Sequence, residues 1–218
     1  MLSEHISNFI HFGSETMALV FMTIAFLILK NKLVGYLALF LGIGLTTDCF
    51  VNLYLDQRNI ANIGLMTYCL FEAYFFFFYL TIPLHLTKKF KITASIVIAA
   101  WWIYTSFFIL YKPAINHGYH PYFDMLYEGG GAVLAALSLL KLTQRDKEEV
   151  DQFYFWSLII LFYYSFCIFY IHTFNGLKAV QSVWYISRYI DALALLSYCV
   201  LAVFTVIRKR QQSQNEFA

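Results

Sequence analysis

Seven ionisable side chains interrupt stretches that are otherwise apolar: Glu15, Asp48, Glu72, Glu128, His172, Arg188 and Asp191. A charge in hydrocarbon is costly unless it meets a partner or water, so each is by default a candidate for ion, proton or ligand handling. Their spacing adds to this, because residues at i, i+3, i+4 and i+7 share one face of a helix. Asn8, His11 and Glu15 align in this way, as do Gly44, Asp48 and Asn52, then Tyr68, Glu72 and Tyr79, then Asp124, Glu128 and Gly131, and last Trp184, Arg188 and Asp191. Polar stripes of this kind would converge on one cavity walled by tyrosines. The expected lining is Asp48, Asn52, Tyr68, Glu72, Glu128, His172, Trp184, Arg188 and Asp191. Acids and tyrosine faces both attract positive charge, so a small cationic ligand is the expected occupant. An interhelical ion pair of Arg188 with Asp191 or Glu72 that only fixes packing competes with this reading. Glu15 and His172 sit near the water interface, where snorkelling is the simpler account.

These residues must be positioned by membrane helices. The 218 residues are 61% hydrophobic, 20% aromatic and 13% charged, with a mean hydropathy of +0.63. That balance excludes a water-soluble monomer and a disordered chain. A formal net charge of +2 gives no reason to expect nucleic acid. The expectation is an all-α seven-transmembrane-helix bundle, a single multi-pass membrane domain over 1–218. Its spans lie near 10–29, 33–55, 60–84, 92–111, 122–142, 153–174 and 180–207, each bounded by charged or turn residues. The opening MLSEHISNF has neither a basic segment nor a small-residue cleavage site, so the first span reads as a retained helix.

Basic residues set the expected orientation. Lys30 and Lys32, Lys88, Lys89 and Lys91, Lys141, Arg145 and Lys147, and Arg208, Lys209 and Arg210 fall at alternate span ends, against Arg58, Lys112 and Lys178 at the others. Cytoplasmic loops attract Lys and Arg, which places the N-terminus outside and the C-terminus in the cytoplasm. All the intramembrane acids but Glu72 then lie in the outer half, and Glu72 lies near the midplane. The inner half holds hydroxyls, Thr81, Ser95, Ser138, Ser157, Ser197 and Thr205, which can bond to the preceding turn of their own helix.

No cofactor and no metal ligand set is expected. Cys49, Cys69, Cys167 and Cys199 fall inside spans as apolar packers, and His117 and His120 stand in a loop without further soft ligands. Gly129, Gly130 and Gly131 read as a close helix approach. Glu15 precedes Lys30, and Glu128 precedes Lys141, by similar distances, as Glu72 and Asp191 precede Lys88 and Arg208. A three-plus-one-plus-three repeat with the Trp101 and Trp102 helix as connector would explain this.

The segments TYCLFEAYFFFFY, YFDMLYEGGG, FYFWSLIILFYY and SRYIDALALLSYCVLAVF resemble a family of small bacterial seven-helix membrane proteins. That family carries no assigned activity, so the resemblance implies only the fold and a bacterial inner membrane. Three function classes follow from the residues themselves. The first is a receptor-like protein that binds or senses a small ligand, with a cytoplasmic signalling partner needed for output. The second is a proton-coupled small-solute transporter, and the third is an outward-facing intramembrane hydrolase, for which no nucleophile motif is present. The lipid bilayer is a partner in all three.

Overall fold

A computed structural model describes residues 2–54, 58–111, 121–146, 149–174 and 181–215. Within them the chain forms seven long helices: α1 (Leu2–Leu29), α2 (Lys32–Leu53), α3 (Arg58–Leu80), α4 (Lys88–Tyr111), α5 (Pro121–Thr143), α6 (Gln152–Phe174) and α7 (Gln181–Asn215). Four stretches, Ile6–Leu29, Lys32–Leu53, Gln152–Ile171 and Ile186–Gln214, are long and apolar enough to cross a bilayer, and Met66–Leu80 is a shorter apolar helix. The apolar side chains of these helices face outward as often as inward. Phe9, Leu39, Tyr163, Leu193 and Val200 all stand exposed on the outer surface, as in a membrane protein whose outside meets hydrocarbon.

Helix ends follow local chemistry. Between α1 and α2 only Lys30 and Asn31 intervene. Lys30 takes a left-handed φ of 55° and its amide bonds back to Phe26 O at 2.8 Å, an αL helix cap. Asn31 then caps α2 by accepting from Leu33 N at 2.8 Å. The third span is expected to run to Leu84, but α3 stops at Leu80 and a 3-10 turn over Ile82–Leu84 carries Pro83, whose missing N–H cannot continue the ladder. Asp151 begins α6 by accepting from Tyr154 N at 3.1 Å.

Six helices pack in a closed ring in the order α1, α2, α3, α5, α6, α7, with α7 returning to α1, and α4 leans from outside on α3 and α5. Hydrogen bonds from Trp102 Nε1 to Met66 O at 2.7 Å and from Tyr74 Oη to Ser95 O at 2.8 Å help to hold α4 there. The helices α1 and α7 pack extensively on each other, and each buries small residues, Ala18 and Ala25 on one and Ala192 and Ala202 on the other, a composition that suits close backbone approach. Gly129 and Gly131 do the same between α5 and α6, since a Cβ would meet Phe169 at 2.9 Å and Ser165 Oγ at 3.2 Å respectively. The α5 helix runs through the triple glycine without interruption.

The ring is solid at one end and hollow at the other. The solid end carries the basic turns: Asn31 Nδ2 donates to Asp151 Oδ2 at 2.8 Å, Lys209 Nζ to Leu29 O at 3.2 Å, and Arg145 Nη2 lies 2.7 Å from His85 Nε2. Above it sits the core of Met22, Leu37, Leu80, Phe153 and Leu158. The hydroxyls of this half partly depart from expectation. Thr81, Ser197 and Thr205 bond to their own preceding turns. Ser138 instead donates across to Leu80 O of α3, and Tyr154 Oη donates to Tyr79 O at 2.5 Å. These carbonyls lie where α3 ends and have no intrahelical donor, so neighbouring helices supply one.

Candidate functional site

The hollow end encloses a cavity of about 240 Å³ whose lining includes His11 and Glu15 from α1, Gly44 and Asp48 from α2, Tyr68 and Glu72 from α3, Tyr164 from α6, and Arg188 and Asp191 from α7. The helical stripes read from the sequence put them there. Each polar residue lies on the inner face of its helix, while exposed apolar residues such as Met17, Val20 and Leu193 cover the outer faces.

On one wall the His11 imidazole bridges two acids. Its Nε2 is 2.9 Å from Asp48 Oδ2 and its Nδ1 is 3.8 Å from Asp191 Oδ2. One turn away Glu15 is only 6% exposed, and its Oε2 is buried with no hydrogen-bond partner. Its Oε1 occupies a notch at Gly44, standing 2.7 Å from where a Cβ would be, and Tyr68 Oη lies 3.3 Å from the same point. A side chain on residue 44 would displace both. Across the cavity, Tyr127 Oη donates to Glu72 Oε2 at 2.8 Å, and Arg188 Nη1 donates to Asn8 Oδ1 at 2.7 Å. Ionised acids in such a place need cations or donors, since an unmatched buried carboxylate is costly.

The floor is a hydrogen-bonded layer. Tyr198 lines the cavity and its hydroxyl reaches Ser157 O at 3.4 Å. Ser157 Oγ is 2.8 Å from Tyr79 Oη and donates to Tyr154 O at 2.7 Å. Phe40 and Phe76 complete the walls, with Phe40 stacked on Phe75 at a centroid distance of 4.2 Å.

Among the residues expected to line a cavity, Asp48, Tyr68, Glu72, Arg188 and Asp191 come together. Two do not join them. Asn52 is exposed and spends its amide on Asp48 O of its own helix at 2.7 Å. Glu128 is 1% exposed and buried on α5, but it is not part of this lining. The side chains of His172 and Trp184 lie outside the described residues, as do His117, His120 and the side chain of Asp124. His11, Glu15, Gly44 and Tyr164 are the additions to the lining, and Tyr127 supports it through Glu72. The α1 stripe of Asn8, His11 and Glu15 is the sequence signal for the first two, and the stripe of Gly44 with Asp48 and Asn52 is the signal for the third; nothing in the spacing singles out Tyr127 or Tyr164.

His11, Glu15 and Asp48 each offer one metal-ligating atom, all within 4.8 Å of one another. This cluster is invisible to a search for ligand spacing along the chain, because His11 and Asp48 are 37 residues apart. No protein-family model, curated protein or solved structure matches the chain.

Proposed function

We propose that the protein is a multi-pass membrane protein of the bacterial inner membrane, with all seven helices crossing the bilayer. In this reading its N-terminus is outside, its C-terminus is cytoplasmic, and the acidic, aromatic cavity opens outward to bind a small cationic ligand. The observation that carries the binding reading is the gathering of Glu15, Asp48, Glu72 and Asp191, from four helices, around one cavity with aromatic walls. Acids supply the charge and Phe40, Tyr68, Phe76 and Tyr164 supply ring surfaces, a combination that suits an ammonium-type cation. The orientation rests on the clustering of Lys30, Lys209 and Arg145 at the end opposite the cavity.

The test is calorimetric titration of the full-length protein in detergent with tetramethylammonium. Saturable binding that Asp48→Asn and Glu72→Gln weaken supports the reading. No saturable heat, or binding indifferent to both substitutions, overturns it.

One observation favours transport as a second reading. The ring order places α1 to α3 and α5 to α7 as two consecutive three-helix groups with α4 outside, the arrangement a three-plus-one-plus-three carrier would have. Uptake into proteoliposomes, driven by a proton gradient and abolished in Glu72→Gln, would establish it, whereas binding without flux leaves the binding reading.

A further inference from the structure

We propose that His11, Glu15 and Asp48 form a binding site for a divalent transition-metal ion. This names the class of cation held in the cavity, and it rests on reading that cavity as a cation site.

Three features of the geometry support it. First, His11 Nε2 and Asp48 Oδ2 are 2.9 Å apart, a hydrogen bond in the metal-free protein, and an opening of about 0.5 Å would set them at the edge of a tetrahedral site with ligands at about 2.1 Å. Glu15 belongs to the same cluster, every ligand atom lying within 4.8 Å of the others. Second, Glu15 is 94% buried by its 6% exposure, and its Oε2 has no hydrogen-bond partner. A carboxylate placed so, with its other oxygen fitted into the Gly44 notch, lacks the donors that normally accompany burial. A bound cation supplies what is missing. Third, Asp191 Oδ2 lies on the Nδ1 side of the imidazole at 3.8 Å, beyond hydrogen-bond distance, and Nδ1 is buried without a hydrogen-bond partner; Asp191 is the carboxylate nearest at hand to orient the ring once Nε2 is given to a metal.

The donor set selects among metals. An imidazole with two carboxylates suits zinc, manganese, iron or cobalt; magnesium and calcium prefer oxygen alone. Two carboxylates and a neutral imidazole cancel a 2+ charge, so the complex would be neutral beside Phe40 and Leu41. Arg188 lines the same cavity, with Nη1 directed to Asn8 Oδ1 at 2.7 Å, and Glu72 and Asp191 also belong to its lining. Three protein ligands leave a coordination position open to water or a solute. The competing state has no metal, with His11 protonated between Asp48 and Asp191.

The full-length protein in detergent is stripped with a chelator and titrated with Zn²⁺ or Co²⁺ alone. The expected result is one equivalent bound, with Co²⁺ d–d absorption appearing at saturation. His11→Gln and Glu15→Gln should lower affinity about 100-fold or more, and Asp191→Asn about 10- to 100-fold. Zinc-edge X-ray absorption of the unsubstituted protein, which needs no variant to fold, should show one imidazole with oxygen donors otherwise. No binding, sulfur donors, two imidazoles, or affinity unchanged in His11→Gln and Glu15→Gln overturns the site. If tetramethylammonium binds and no metal does, the metal site falls and the cation cavity stands; if neither binds, both fall.

Discussion

His11 of α1 and Asp48 of α2 meet at 2.9 Å across 37 residues of chain, and Asp191 of α7 approaches the same imidazole from the other side. One ring thereby ties three helices at the hollow end. Replacing Asp48 by Asn keeps an acceptor for the imidazole N–H but removes the charge. Asp48→Asn is expected to weaken tetramethylammonium binding about 10-fold, or ~1.4 kcal/mol, with little loss of thermal stability. Titration calorimetry beside a melting curve separates the two effects.

Gly42 and Gly44 provide a matched pair. A Cβ at Gly42 would meet only Leu19 Cδ1 at 3.7 Å, whereas one at Gly44 would meet Glu15 Oε1 at 2.7 Å. Gly42→Ala should leave binding unchanged. Gly44→Ala should push Glu15 and Tyr68 from their places and reduce cation affinity at least several-fold, measured in the same titration.

The floor predicts stability without binding. Ser138→Ala and Tyr154→Phe each remove the side-chain donor to a carbonyl at the end of α3. Each should lower unfolding free energy by about 1 kcal/mol, within the range found for hydrogen bonds between membrane helices. Denaturant unfolding in mixed micelles reads this, and ligand affinity of the surviving fold should not change.

At the basic end, Asn31 caps α2 through its Oδ1 and holds Asp151 through its Nδ2. Asn31→Ala loses both contacts and should cost about 1 kcal/mol, whereas Asn31→Asp keeps the cap but sets two carboxylates together and should be intermediate. Thermal midpoints of the two variants give the order.

Orientation is checked by labelling in whole cells. A cysteine-free background carrying Lys89→Cys or Gln211→Cys should react with a membrane-impermeant maleimide only after permeabilisation, and one carrying His120→Cys should react before it.

Periodicity made the polar stripes legible, because one helix face is a local property: Asp48, Glu72 and Asp191 could be placed on inner faces without knowing any neighbour. Adjacency is not local. That α7 returns to α1, so that Arg188 reaches Asn8 from 180 residues away, is a property of the whole ring and leaves no mark at short range. The same limit explains Glu128, which shares the pattern of the other acids and is buried, yet stands apart from the cavity lining. It also explains Ser138, whose local option on its own turn lost to an unsatisfied carbonyl of α3. Helix ends fall within a few residues of the expected boundaries where Lys, Pro or Asn ends a helix, and furthest from them at the start of α1 and the end of α7, where helical backbone continues to Leu2 and to Asn215 beyond the apolar stretches.

The contact between α1 and α7 has a consequence for biogenesis. Within this chain α1 meets its principal neighbour, α7, only after the five helices between them have been made, and until then Asn8 and His11 lack the partners that Arg188 and Asp191 supply. The hollow is therefore the final thing to be assembled. Chains stalled before α7 should remain protease-sensitive and be cleared by quality control, however well their earlier segments have been threaded.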